Sequence, residues 1–175
     1  MVETVELREG ISAHWNGKAL TLSKSGKTNT KTLPWRKLAV EVKGNQLMLH
    51  PSDHGKKAKA VLNSVKAHIE NMELGLEKDF EYRLSIVYAH FPMTVVKKER
   101  ILEVNNFLGS KKPKKARIVG NAQVEIKGKE ITVKGNNLEE VSQTAANLEQ
   151  TTRVTNKDRR IFQDGIFIVK KGVHA

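Results

Sequence analysis

The densest group of like charges in this 175-residue chain lies between positions 110 and 117. The stretch reads Ser-Lys-Lys-Pro-Lys-Lys-Ala-Arg and contains no acidic residue. Clustered cations of this kind suit contact with phosphate oxygens, by charge and counterion release and not by base identity. A solvated charged surface is the ordinary alternative. The candidate contact residues are Lys111, Lys112, Lys114, Lys115 and Arg117.

A second cationic stretch, Asn-Lys-Asp-Arg-Arg-Ile-Phe-Gln-Asp-Gly, occupies positions 156–165. The planar fork of an arginine matches a phosphate group, and amide side chains can bond to phosphate or sugar. Ile161 and Phe162 are expected to anchor the segment to the fold. The alternative is a packed helical turn whose charges face water. The candidates here are Asn156, Lys157, Arg159 and Arg160, with Lys170 and Lys171 after a short strand predicted at 166–169.

Two other patterns carry little chemistry. Gly26-Lys27-Thr28 imitates the end of a phosphate-binding P-loop, but position 21 lacks the glycine that the motif requires. The six histidines are scattered, and His50 and His54 are separated by a proline that opposes a shared helix. We therefore predict no metal site, no cofactor and no catalytic set.

A ten-residue pattern that occurs twice organises the elements around these candidates. VEVKGNQLML at 40–49 and VEIKGKEITV at 124–133 lie 84 residues apart. Each has apolar alternation on both sides of a Lys-Gly turn, which is typical of a β-hairpin. Each is followed by a helical pattern. The chain is therefore predicted to be α+β, a tandem duplication of a small domain (1–80 and 81–175), each an antiparallel sheet packed with one main helix.

The two helices have distinct signals. Apolar residues from Ala58 to Met72 fall on one helical face, and Gly75 is the expected stop. Asn137 is an expected N-cap, and Glu140 stands where the acid of a capping box would be. Such helices would each cover one face of a sheet.

Strand predictions fill much of the remainder. Residues 1–10 form either an edge strand or a loose arm, and Asn16-Gly17 lies between two alternating runs as a hairpin turn. Residues 23–32 are polar and basic and are predicted to be a loop. Residues 81–88 alternate as a strand, and 98–107 are predicted to be extended.

Charge and composition limit the possible partners. The net charge is +12, with +4 in residues 1–80 and +8 in residues 81–175. That field favours a polyanion, although solubility alone could explain it. Cysteine is absent, which suits a reducing cytosol. No apolar run reaches 18 residues and the first residues lack the apolar core of a secretory signal, so we expect no membrane association.

The chain resembles the ribosomal large-subunit protein six family in its archaeal and eukaryotic form. The resemblance rests on four stretches, above all the last: Asn106-Phe107-Leu108-Gly109, Val133-Lys134-Gly135-Asn136, Gln150-Thr151-Thr152, and the signature Asn-Lys-Asp-x-Arg-x-Phe-x-Asp-Gly-Ile-aromatic at 156–167. It covers nearly the whole chain. The short extent beyond the signature favours the archaeal form.

The resemblance implies a structural constituent of the large ribosomal subunit that supports translation in the cytoplasm and is not an enzyme. It implies that the second domain binds large-subunit rRNA near the stalk base and the sarcin–ricin loop. Neighbouring large-subunit ribosomal proteins and translational GTPases would lie nearby. The signature implies rRNA contact by Lys157, Arg159 and Arg160, and more loosely by the 111–117 run.

Two other classes of function compete with this interpretation. A free-standing interaction module could use the same positive charge to bind an acidic protein. A small enzyme could use one of the histidines, although few polar groups converge in the sequence to support it.

Overall fold

The computed structural model describes residues 3–34, 38–52 and 55–174, with residues 173 and 174 described by their backbone only. The chain divides into two compact units, Met1–Lys78 and Asp79–Ala175. In its described residues, each unit contains two antiparallel sheets and one long helix. The prediction of an α+β fold with a repeated sheet-and-helix arrangement is confirmed.

The first unit contains six strands and one helix in its described residues. They are β1 (Glu3–Glu6), β2 (Ser12–Trp15), β3 (Ala19–Lys24), β4 (Lys27–Thr32), β5 (Leu38–Lys43), β6 (Gln46–Pro51) and α1 (Lys56–Glu77). One sheet has the strand order β1-β6-β5 and the other β2-β3-β4. Helix α1 packs against both sheets, and fully buried Leu20, Leu47 and Ile69 belong to the shared core.

The second unit repeats this order and adds one strand. Its elements are β7 (Phe80–Val87), β8 (Thr94–Lys98), β9 (Ile101–Asn105), β10 (Lys114–Arg117), β11 (Gln123–Lys127), β12 (Glu130–Gly135), α2 (Leu138–Thr151) and β13 (Gly165–His174). The sheets are β11-β12-β7-β13 and β8-β9-β10. Leu84, Leu102, Ile131 and Leu148 are buried in the core that α2 closes.

The repeated hairpins have the predicted turns. Gly44 (φ +59°) joins β5 to β6, and Gly128 (φ +60°) joins β11 to β12, so both copies use a left-handed glycine. At the predicted Asn16-Gly17 turn, the Asn16 side chain accepts hydrogen bonds from the N–H groups of Lys18 and Ala19 at 3.1 and 2.7 Å. These local bonds explain why short sequence signals identified the hairpins.

Two helix predictions were wrong in detail. Helix α1 passes through Gly75 to Glu77, because buried Leu76 continues the apolar face by one more turn. Asn137 does cap α2, since its side chain accepts the Glu139 N–H at 3.0 Å. Glu140 does not complete a capping box, because its carboxylate accepts the N–H of Asn121 at 2.8 Å.

Several strand boundaries also differ from prediction. Residues 23–32 are not a loop but the end of β3, a turn at Ser25-Gly26 and all of β4. The region 98–107 is not continuously extended, because Glu99 (φ +49°) reverses the chain between β8 and β9. The last strand is longer than the predicted 166–169, because two register shifts let it continue along β7. Residues 3–6 do form an edge strand.

Candidate nucleic-acid interface

A turn at residues 88–93 follows β7. The signature segment, residues 156–167, contacts the first half of this turn. Asp164 is almost completely buried, and its Oδ1 accepts the N–H of Ala89 at 2.9 Å. The ring of His90 stacks on that of Phe162, with 5.0 Å between centroids. The loop that carries Lys157, Arg159 and Arg160 is thereby fixed to this turn.

The second half of the same turn is held by the segment that precedes the lysine run. The Asn106 side chain donates to the Pro92 carbonyl at 3.0 Å. The Phe91 ring lies over Gly109, where an added Cβ would meet the ring at 3.3 Å. Asn106 (φ +59°) and Gly109 (φ +77°) both adopt left-handed backbone, so this tight turn depends on their residue types. Two basic segments far apart in sequence therefore meet at one turn.

The β11–β12 turn reaches the same place. The Lys129 carbonyl accepts the N–H of Ile86 at 2.8 Å, close to the point where β7 ends. We call the group formed by residues 88–93, 106–114, 127–129 and 153–164 the sheet-end surface, because it gathers at one end of the four-stranded sheet.

Three lysines of the sheet-end surface each lie over an aromatic ring. Lys114 lies over Phe107, Lys129 over Tyr88 and Lys157 over Phe162, each with 4.5 Å from Nζ to the ring centroid. A ring face attracts the ammonium group without neutralising its charge. These contacts restrict where the three cations lie and leave them able to meet an anion.

The two adjacent arginines of the signature differ in whether they pair with a carboxylate. Arg160 donates to both carboxylate oxygens of Asp158, with Nε to Oδ1 at 3.1 Å and Nη2 to Oδ2 at 2.8 Å. This hydrogen bonding holds the pKa of Asp158 below its ordinary value and raises the pKa of Arg160. Arg159 is exposed and has no acidic partner within 4 Å among the described residues. Arg159 is therefore the cation of this pair that is open to a ligand.

Other predicted residues fall in different places. Lys111 and Lys112 are exposed in the segment between Gly109 and β10. Lys115 lies 3.7 Å from the Glu103 carboxylate, so part of its charge is already balanced. The Arg117 carbonyl accepts from the Asn147 side chain of α2, at the far end of β10. Asn156 has φ +58°, a conformation that asparagine tolerates well, so its residue type also has a backbone reason.

Lys170 and Lys171 do not join the sheet-end surface. Lys170 pairs with Arg83 in β7, whereas Gly165 pairs with Val87 where β7 ends. Val87 and Arg83 are four residues apart on β7, so about 13 Å of extended strand separates the two positions. These two lysines are exposed in the middle of β13, away from the end where β7 stops.

The expectation that Ile161 anchors the signature segment is wrong. Its side chain is 62% exposed, and Phe162 alone of the pair packs against the core. Burial raises the pKa of Asp164, but the N–H of Ala89, the His90 ring and further backbone N–H groups outweigh burial and hold that pKa below its ordinary value. The buried carboxylate is thus ionised at neutral pH and serves as the anchor.

Comparison with known proteins decides the identity. The profile of the family described as Ribosomal protein L6 matches residues 92–165. The protein called large ribosomal subunit protein uL6 from Methanobrevibacter smithii is 39% identical over 97% of this chain and 95% of its own length. The chain belongs to the uL6 family.

Other uL6 proteins agree. The one from Archaeoglobus fulgidus is 47% identical over 82% of this chain and 73% of its own length. The one from Methanosarcina mazei is 39% identical over 98% of this chain and 97% of its own length. These relatives are archaeal, and the resemblance to the archaeal form of the family is confirmed.

Membership in the uL6 family settles the class of protein. The uL6 proteins are structural components of the large ribosomal subunit in the cytoplasm and not enzymes, so the histidine-enzyme alternative is wrong. Across the described residues, no helix is long and apolar enough to cross a membrane. In that same part of the chain, no group of three or more His, Cys, Asp or Glu side chains could hold a metal ion, and His54 lies outside it.

Two further cations of this surface are not predicted by any sequence pattern. Lys129 was assigned only to a hairpin turn, although a lysine on each side of Gly128 was visible. Arg153 follows α2 as an isolated cation with no local signal. The family profile covers both, together with the 111–117 run and residues 156–165 of the signature, and it ends before Lys170.

Proposed function

We propose that this chain is held in the large ribosomal subunit by binding large-subunit rRNA through its second unit, and that it supports translation in this way. The observation that carries the proposal is the junction of two basic segments on the turn 88–93. That junction brings two segments with exposed or ring-supported cations to the same turn, where Asp158 is paired with Arg160 and Asp164 Oδ1 accepts the Ala89 N–H. A preformed cationic surface binds folded RNA with little ordering cost.

The chemistry of the contact is phosphate binding directed by shape. Folded RNA is recognised mainly through its backbone and its unpaired positions. The proposed rRNA contacts on and beside the sheet-end surface are Lys111, Lys112, Lys114, Lys115, Arg117, Asn156, Lys157, Arg159 and Arg160. Lys170 and Lys171 would make a separate phosphate contact, because β13 places them away from the others.

We further propose that the site lies near the stalk base and the sarcin–ricin loop. Neighbouring large-subunit ribosomal proteins, and translational GTPases nearby, would then be its surroundings. The support is the signature at 156–167, which resembles that of the large-subunit protein six family in an almost unbroken run.

Charge reversal tests the rRNA contact. Lys111→Glu, Lys112→Glu and Arg159→Glu together should lower affinity for purified large-subunit rRNA and reduce the slope of log affinity against log salt. Each lost phosphate contact accounts for about 0.7–0.9 of that slope. Lys57→Glu, Lys59→Glu and Lys66→Glu on exposed positions of α1 make the same charge change in the first unit. Equal losses from both triple variants would contradict a localised site.

A further inference from the structure

A cleft opens beside the signature loop of the second unit. Its volume is about 600 Å³, within the range of about 300–1,000 Å³ that is usual for small-ligand sites. The apolar part of its wall includes Val87, Val154, Ile166 and Phe167. Arg153 and Arg159 also line it, and both are exposed to solvent.

The aromatic wall of the cleft is built into the fold. Phe167 is 46% exposed on β13, next to Val87, which is 39% exposed. A Cβ added to Gly165 would lie 3.1 Å from the Phe167 ring, so the glycine leaves the space that the ring occupies. The ring is thus half open to solvent and yet held against the strand.

The charges of the cleft select its ligand. The structure gives neither Arg153 nor Arg159 an acidic partner within 4 Å in the residues that it describes. One oxygen of each carboxylate in the lining accepts a backbone N–H, Glu149 Oε1 from Ile168 at 3.3 Å and Asp164 Oδ1 from Ala89 at 2.9 Å. An apolar floor with unpaired arginines therefore fits a ligand that has a flat apolar part and an anionic part.

We propose that this cleft accepts one unstacked nucleotide of the rRNA, with its base against Phe167 and its phosphate at Arg159 and Arg153. The inference rests on the proposed rRNA binding and adds a base contact to it. Unpaired bases of RNA stack on aromatic side chains and on arginine planes, while arginine forks bind phosphate. An apolar side chain of a neighbouring protein would cover the apolar wall but would leave both arginines without an anionic partner.

Affinity for purified large-subunit rRNA, measured across salt concentrations with the full chain, tests the proposal. Phe167→Ala should weaken binding about tenfold, as expected for the loss of one base stack, with an unchanged salt slope. Phe167→Tyr should bind as the unchanged chain does, because it keeps the ring. Val169→Ala is the control, since Val169 is 64% exposed on the same strand and lies outside the cleft. Arg159→Ala should lower both affinity and slope.

The outcomes separate this inference from the proposed function. If Phe167→Ala binds rRNA normally while the charge reversals weaken it, the base contact is wrong and rRNA binding stands. If neither Phe167→Ala nor the charge reversals change the affinity for rRNA, the proposed rRNA binding itself is wrong. If Phe167→Ala impairs incorporation into subunits but not binding to purified rRNA, the cleft receives a protein side chain and the proposal is overturned. Thermal unfolding of each variant shows that it is folded.

Discussion

Asp164 Oδ1 accepts the backbone N–H of Ala89 at 2.9 Å across 75 residues of sequence. This bond joins the signature loop to the turn after β7, which in turn contacts Gly109 through Phe91. An acidic residue therefore organises a cationic surface.

Substitution of Asp164 separates the effect of loop anchoring on rRNA binding from the effect of net charge. Asp164→Asn raises the net charge by one, so simple attraction predicts tighter rRNA binding. We expect binding weaker by about fivefold or more, because loss of a charge-assisted bond costs at least about 1 kcal/mol and releases the loop. Filter binding measures the affinity, and amide hydrogen exchange at residues 85–92 measures the release. Tighter binding with unchanged exchange would contradict the anchor.

Asp158→Asn makes the same charge change with the opposite expected result. It frees Arg160, which Asp158 now holds at 2.8 Å. Since an exposed ion pair is weak and easily replaced, rRNA affinity should rise about two- to fivefold, with a steeper salt slope. Glu70→Gln, at an exposed position of α1, is the charge-matched control in the first unit. It should change neither the rRNA affinity nor the salt slope. Equal gains from both would mean that only net charge matters.

Two glycines with nearly the same backbone should respond differently to alanine. An alanine at Gly120 (φ +57°) or at Gly128 (φ +60°) would incur backbone strain of about 1–2 kcal/mol. A Cβ at 120 would also overlap the Glu140 carboxylate, whereas one at 128 meets nothing within 4 Å. Gly120→Ala should therefore lose about 1 kcal/mol more of unfolding free energy, because Glu140 must leave the Asn121 N–H. Equal losses in urea unfolding would show that Glu140 moves at no cost.

Glu73 gives the first unit a distinct pH response. Burial raises the pKa of Glu73, and the opposing N–H and charge of Arg8 do not cancel that effect. The stabilising contribution of a group with a raised pKa is full below its unfolded pKa and is lost as pH rises through the folded pKa. Glu73→Gln should therefore stabilise the first unit at pH 7, with a gain that shrinks toward pH 4. Tryptophan fluorescence reports this unit, since both tryptophans lie within residues 1–78. A gain independent of pH would contradict the raised pKa.

Local sequence signals were enough to predict the hairpins and helices. Gly44 and Gly128 lie between alternating runs, and both turns form as expected. Strand β4 was missed because its exposed positions are Lys and Thr, and its one buried polar position, Asn29, hides the alternation. The length of β13 depends on register shifts that no local pattern indicates.

The arrangement of the candidate site depended on tertiary contacts. The charge runs were visible, but their junction depends on Asp164 with Ala89 and Asn106 with Pro92, which are far apart in sequence. The difference between Arg159 and Arg160 comes from Asp158, which accepts both the backbone N–H and the guanidinium of Arg160. Ile161 is exposed because the turn after Asp158 directs Phe162 inward.

Ultraviolet cross-linking of purified large subunits, followed by mass spectrometry of this chain, tests the central claim most directly. The account predicts nucleotide adducts on peptides within 106–117 and 153–167, and few on exposed lysines of α1. Adducts confined to the first unit, or to the distant Lys170 and Lys171, would contradict an rRNA site on the sheet-end surface.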